Sequence, residues 1–332
     1  MIRTRGLTKD FATKNETVHA VRGITLDVEP GELVAVLGPN GAGKTTTLRM
    51  LTTLIAPTSG TAEVAGHDVV AAPDAVRHAI GYVGQGNAAG HTQVARDEIV
   101  TQGVIYGLDR RAARRRADEL LESLELTDLA RRKVADLSGG QRRRLDVAMG
   151  LVHSPSLLFL DEPSTGLDPH NRANLWEHIL RMRTDRPAGD PMTIVLTTHY
   201  LDEADAMAER VVVVDHGEVI ADDTAEHLKS SLAGDRVVAH VPVGDVARFA
   251  ELAANAPGTR AVQVSGDAVE LRSADGPAAV PGLLRAADAD GIVVATVQVH
   301  RPTLDDVFLA LTGRSLRETS IHETATTEEA AA

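Results

Sequence analysis

Three short segments carry the residue types that handle phosphate. Gly38-Pro39-Asn40-Gly41-Ala42-Gly43-Lys44-Thr45 fits the spacing G-x-x-x-x-G-K-[ST]. In such a loop the glycines let consecutive backbone N–H groups point at phosphate oxygens, and the following helix N-terminus adds a favourable field. Lys44 offers its charge to the β- and γ-phosphates and Thr45 a hydroxyl to Mg²⁺, with Thr46 next in the nucleotide-binding stretch. A second segment, Asp161-Glu162, follows the apolar run Leu157-Leu158-Phe159-Leu160, so both carboxylates stand at a strand end, where open parallel sheets hold ligands. An acidic strand end alone is most often a turn. Downstream of a phosphate loop, Asp161 suits a Mg²⁺ ion and Glu162 an attacking water. The third segment, Leu137-Ser138-Gly139-Gly140-Gln141, leads into a helix over residues 142–151. Ser138 and the two glycines can cap that helix or form an anion-binding nest. In a chain that already has a complete phosphate loop, a second one is useful if it serves another subunit's nucleotide.

These segments need elements to position them. Residues 33–37, 157–160, 193–196 and 211–214 are continuous apolar runs, the pattern of strands buried on both faces. Residues 44–54, 174–183 and 202–208 read as helices between them, and residues 18–28 as a loosely alternating strand. The alternation implies a largely parallel sheet, an α/β class with strand, glycine loop and helix in the order a phosphate site requires. Residues 97–135 read as a helical insertion, with 113–126 rich in Ala, Arg, Glu and Leu. After residues 232–235 the texture changes to short strands at 237–243, 261–264, 268–271 and 292–299, with helices at 246–254 and 281–288, the latter with Pro281 first. That order suggests a small α+β, ferredoxin-like domain. A capped amphipathic helix follows at 303–311. The expected domains are therefore 1–232, with a helical subdomain near 86–155, and 235–313, followed by a disordered tail at 314–332.

Composition narrows the classes. A chain of 332 residues favours one large domain and a smaller one. No run reaches the roughly 18 apolar residues that span a bilayer, and the first residues lead into a strand pattern instead of a signal core, which points to the cytoplasm. There is no cysteine, excluding disulfides and thiolate chemistry. The net charge of −13 opposes nucleic-acid binding. Residues 110–144 run against it, with 11 Lys/Arg and 6 Asp/Glu: either a solvated helical face or a surface for anionic lipid or an acidic partner.

Over residues 1–230 these motifs, in this order, resemble the ATP-binding cassette (ABC) family. The resemblance implies a P-loop ABC ATPase core using ATP and Mg²⁺. It gives Gln85 the part of the glutamine that reaches Mg²⁺ and water, and His199, after Leu196-Thr197-Thr198, that of a γ-phosphate sensor. Ser164-Thr165-Gly166-Leu167-Asp168 resembles the loop that crosses the dimer interface, and Phe11 stands where the family stacks an aromatic ring on adenine. Two departures are visible: Phe11 replaces the more usual Tyr, and residues 86–93, Gly-Asn-Ala-Ala-Gly-His-Thr-Gln, are unusually polar for a permease contact. His91 in that stretch is either a pH-sensitive contact or an ordinary loop residue.

Arg301-Pro302-Thr303-Leu304-Asp305-Asp306-Val307-Phe308-Leu309 and Arg142-Arg143-Arg144-Leu145-Asp146 are similar to segments of daunorubicin/doxorubicin-resistance ATPases. That resemblance implies a second copy of the chain, a separate integral-membrane type-2 permease, a place on the cytoplasmic face of the membrane, and export of a drug or natural product. Export of a lipid or other amphiphile stays open, as does a non-transport ABC ATPase.

Overall fold

The computed structural model describes residues 1–13, 16–185 and 190–313; the tail expected at 314–332 lies outside them. The chain divides after Asp222 into two compact units, ahead of the change in sequence texture near Leu232. The reason is local: a Thr224-capped helical segment, Ala225–Leu228 continuing as Lys229–Ala233, packs with the last helix, Leu304–Thr312.

Among the described residues, up to the division, ten strands follow in order: β1 Ile2–Ala12, β2 Thr17–Val28, β3 Leu33–Leu37, β4 Ser59–Val64, β5 His67–Asp68, β6 Ile80–Val83, β7 Leu157–Asp161, β8 Thr193–Thr198, β9 Arg210–Asp215 and β10 Glu218–Asp223, the last ending one residue past it. An antiparallel sheet runs β2-β1-β4-β5, and a six-stranded sheet runs β10-β9-β3-β8-β7-β6. Its inner pairs, β3 with β8 and β9, and β7 with β6 and β8, are parallel. Every residue of β3, β7 and β8 is buried, which is why their sequences lack polar alternation. Between the sheets lies a core of Ile2, Leu26, Val36, Leu48, Phe159 and Val212 among others.

Helix α1, Lys44–Leu51, follows β3; Thr53 takes a left-handed backbone (φ 63), so the helix stops short of residue 54. α2 is Pro73–Ala79. The helical stretch expected at 97–135 is broken: α3 spans Ala95–Ile105 and α4 Arg110–Ser123. Gly107 turns with φ 89, and the Asp109 carboxylate caps α4 by accepting from Arg111 N–H and Ala112 N–H. α5 is Gly139–Leu151, α6 Pro169–Thr184 and α7 Leu201–Met207. Among the described residues no helix is long and apolar enough to cross a membrane.

The second unit has a sheet of four antiparallel strands, Asp235–His240, Thr259–Ser265, Ala268–Ser273 and Thr296–His300, with the first strand paired to the third and fourth. Helices Val246–Asn255 and Gly276–Ala289 connect them, giving the split strand-helix-strand arrangement of a ferredoxin-like sandwich. Phe249, Leu271 and Leu283 lie in its core. Pro281 is inside the second helix, not at its start, because Asp275 caps the helix earlier and Pro277 takes the tolerated first turn. The last helix begins where expected, with Thr303 and Asp306 forming a reciprocal cap.

Candidate functional site

The end of β3 delivers residues 38–45 to the rim of the central sheet. Two glycines make the loop possible. Gly43 holds φ 100, and a Cβ there would meet the Ala20 carbonyl at 2.5 Å; a Cβ on Gly38 would meet the Val214 carbonyl at 2.1 Å. The loop therefore packs against β2 and β9 at a distance no side chain permits. Gly43 also caps α1 without any side chain, leaving the first N–H groups of α1 directed at the loop. Lys44 is 4% exposed, and its ammonium donates to the carbonyls of Gly38 (2.7 Å) and Pro39 (3.0 Å). Ala42 is buried, and Asn40 and Gly41 face solvent at the crest of the loop.

A cluster of oxygens lies beside the loop. Thr45 Oγ1 donates to Asp161 Oδ1 at 3.0 Å, and Thr197 Oγ1 donates to the same oxygen at 2.7 Å. The Gln85 amide, on the loop after β6, comes within 3.4 Å of Thr45 Oγ1. A hydroxyl, a buried carboxylate and a side-chain amide at one point are hard donors of the kind Mg²⁺ takes. Just past the end of β7, Glu162 adopts φ 49, an uncommon backbone for a non-glycine residue and one that clusters at functional sites. Its N–H is fixed by the Thr197 carbonyl (3.0 Å) and hydroxyl (3.1 Å). Glu162 Oε2 lies 3.4 Å from His199 Nδ1 and accepts from Thr165 Oγ1 at 3.2 Å. Contact with His199, reinforced by the Lys44 charge, holds the Glu162 carboxyl below its ordinary range against the opposing effect of burial. The structure thus brings Lys44, Thr45, Gln85, Asp161, Glu162 and His199 to one rim.

Other residues singled out from the sequence stand apart from that cluster. Ser138 caps α5 in a reciprocal pair: Gln141 N–H donates to Ser138 Oγ (3.3 Å), and Ser138 N–H to Gln141 Oε1 (2.9 Å). Ser138 and Gly139 are exposed, whereas Gly140 is buried against Asn171. Asp168 caps α6, accepting from Asn171 N–H at 3.0 Å and Asn171 Nδ2 at 2.5 Å, and these bonds hold its pKa down. Phe11 is 41% exposed on β1, with the Lys9 ammonium 5.2 Å from its ring centre.

Three contributors escape the motif reading. Thr197 joins Asp161 to the Glu162 backbone. Glu203, on α7 and 5% exposed, bonds Ser164 Oγ and accepts from Thr198 Oγ1 at 3.0 Å, so it anchors the start of the 164–168 loop. Arg143, within the Arg142-Arg143-Arg144 run, is buried behind the acidic strand end. The sequence signals are a threonine pair before His199 and an arginine run after Gln141, neither of which names its partners.

Residues 21–165 match the family model described as ABC transporter, and residues 224–312 match that of the ATP-binding protein DrrA1-3-like, C-terminal domain. The chain is 44% identical over 300 residues to the daunorubicin resistance ATP-binding protein DrrA3 of Streptomyces coeruleorubidus, covering 90% of this chain and 92% of that one. It is 40% identical over 331 residues to the daunorubicin/doxorubicin resistance ATP-binding protein DrrA of Streptomyces peucetius, covering 99% and 98%. Among solved structures, a dimeric ATP-binding cassette in a post-hydrolysis state bound to ADP and Pi has a TM-score of 0.61 at 25% identity, covering 68% of this chain and 98% of that one. Fold and loop together define an ATP-binding cassette ATPase. The chain belongs to the ABC transporter family, within its group of daunorubicin/doxorubicin-resistance-type ATP-binding proteins.

Proposed function

We propose that this chain hydrolyses ATP as one half of a nucleotide-sandwich dimer and powers export of a hydrophobic drug or natural product through a separate type-2 permease. Its place is then the cytoplasmic face of the membrane, held there by the permease. The observation that carries the reading is the convergence of Thr45, Gln85, Asp161, Glu162 and His199 beside the phosphate loop. The names of its relatives and the match over residues 224–312 support the cargo class.

In this reading the N–H groups at 41–46 cradle the phosphates, Lys44 exchanges its two carbonyls for phosphate oxygens, and Phe11 stacks on adenine. Thr45, Asp161 and Gln85 would hold Mg²⁺, which neutralises charge on the β- and γ-phosphates. Glu162, kept ionised by His199, takes the proton of the attacking water while His199 faces the γ-phosphate. Ser138, Gly139, Gly140 and Gln141 of one copy close over the nucleotide of the other, and Asp168 lies in the loop at the interface. ATP favours the closed pair and loss of the γ-phosphate opens it.

Replacing Glu162 by Gln tests this reading. Turnover should fall by about 100- to 10,000-fold, the contribution of a positioned base, while ATP binding survives and ATP-dependent dimers accumulate in sedimentation. Wild-type turnover would remove the base assignment, and a monomer at saturating Mg-ATP would remove the sandwich.

A further inference from the structure

Two buried charges one turn apart on α5 tie together parts of the site that the motifs leave separate. Arg143 is 7% and Asp146 2% exposed, with Arg143 Nη1 at 3.9 Å from Asp146 Oδ2. Arg143 Nε donates to the Pro163 carbonyl at 2.5 Å, Nη1 to the Gly84 carbonyl at 2.6 Å, and Nη2 to the carbonyls of Asp161 and Glu162, each at 3.3 Å. Asp146 Oδ1 accepts from the N–H groups of Ala88 (3.0 Å) and Ala89 (3.4 Å).

An ion pair taken out of water is weak evidence for stability, since apolar side chains of similar volume usually serve as well. At 3.9 Å the two side chains do not hydrogen-bond each other; what distinguishes this pair is where the hydrogen bonds of each one go. All of them reach backbone atoms of other segments. Gly84 precedes Gln85, and Ala88 and Ala89 follow it, so the Gln85 loop is held at both ends from one turn of α5. The same guanidinium holds the backbone of Asp161, Glu162 and Pro163. A displacement of α5 therefore carries the Gln85 loop and the Glu162 backbone with it. The N-terminus of α5 is the Ser138 segment, little more than one turn from Arg143.

We infer that Arg143 and Asp146 are positioning residues that couple the two nucleotide sites of the dimer. Resting on the sandwich reading, the inference is that α5, when its Ser138 end closes on the partner's ATP, pulls Gln85 and Glu162 of its own chain into working register. Arg143 suits the task because its planar fork serves several carbonyls at once; a lysine supplies one point charge and cannot span them.

The test uses the full chain with Mg-ATP, comparing the parent, Arg143→Lys, Asp146→Asn and Glu162→Gln. Arg143→Lys should lower kcat about tenfold or more, with the Kd of a fluorescent ATP analogue within twofold of the parent, because residues 38–45 are untouched. Asp146→Asn, which keeps an oxygen for the Ala88 and Ala89 amides and loses the charge facing Arg143, should lower kcat about threefold, again at unchanged Kd. If the two sites are coupled, the parent's rate should depend sigmoidally on ATP and that dependence should flatten in both variants; a parent without it would overturn the inference. Equal loss of affinity and kcat, or failure of both variants to fold, would show a merely structural pair and overturn the inference. Parent-like kcat and cooperativity would overturn it too. Glu162→Gln separates the levels: if it neither stops turnover nor dimerises on ATP, the sandwich reading itself has failed; if it does both while Arg143→Lys behaves as the parent, the coupling alone has failed.

Discussion

The two glycine-containing segments, residues 38–45 and 138–141, sit at helix N-termini and would look interchangeable as anion sites, yet the fold treats them oppositely. The first is pressed against β2 and β9, its lysine is buried, and its threonine is bonded to an acid from another strand. The second turns Ser138 and Gly139 to solvent and bonds Ser138 to Gln141 within its own first turn. A phosphate site needs donors and also a counter-charge and a place for a cation. Residues 38–45 have these within the chain; residues 138–141 have donors and a helix end. The contrast is what a half-site leads one to expect: a complete cradle on one surface and a lid on another.

Substitution in each segment sharpens the contrast. Lys44→Ala should have the larger effect, because it removes the buried cation of the cradle: turnover falls by about 100- to 1,000-fold, as when a preorganised electrostatic partner is lost, and ATP affinity falls with it. Retained affinity in a nucleotide titration would break the claim that residues 38–45 are the chain's own cradle. Ser138→Asp should act differently. Aspartate is as good an N-cap as serine, so α5 and the melting temperature should be unchanged, but in the proposed sandwich a carboxylate would then meet the partner's phosphates. Turnover should drop about tenfold or more by like-charge repulsion, with Kd for ATP on the isolated chain unchanged. A loss of affinity equal to that of Lys44→Ala would abolish the distinction between cradle and lid.

What the sequence makes legible follows from where the physics is local. Residues 33–37, 157–160 and 193–196 declare themselves because strands buried on both faces are apolar over most of their length; Asp161, Thr197 and Thr198, buried at the strand ends, do not. The phosphate loop is legible because backbone geometry demands glycine at fixed intervals, as the contacts behind Gly38 and Gly43 make clear. Arg143 is not legible. It stands between Arg142, which bonds the Leu137 carbonyl, and Arg144, which bonds that of Leu124, and nothing in three consecutive arginines tells which one is buried or that its acceptors lie near residues 84 and 162. Thr197 is hidden for the same reason: a threonine in a buried strand satisfies the β-propensity rule whether or not its hydroxyl holds a carboxylate. The break at residues 106–109 is missed because the helix-forming composition on either side outweighs one Gly107.

Acid sensitivity separates the stability of the fold from the chemistry of the two segments. His153 stacks on Tyr106 with centroids 3.8 Å apart and planes 2° from parallel, and its Nε2 bonds the Ile80 carbonyl at 2.9 Å. Burial pushes its pKa from 6.5 down to about 4, and Nδ1 has no hydrogen-bond partner there. The unfolded chain accepts this proton below 6.5 while the folded chain resists it until about 4, so stability falls as pH drops through that window and is unaffected above it. The loss is about 2 kcal/mol by pH 4, less than the full shift implies because the ring is partly solvated. His153→Phe keeps a flat ring against Tyr106 and removes the titration. Its melting temperature should therefore fall less than the parent's between pH 6.5 and 4, while Kd for ATP at neutral pH stays the same. Parallel melting curves for the two proteins would mean that the acid sensitivity of the fold lies with another group.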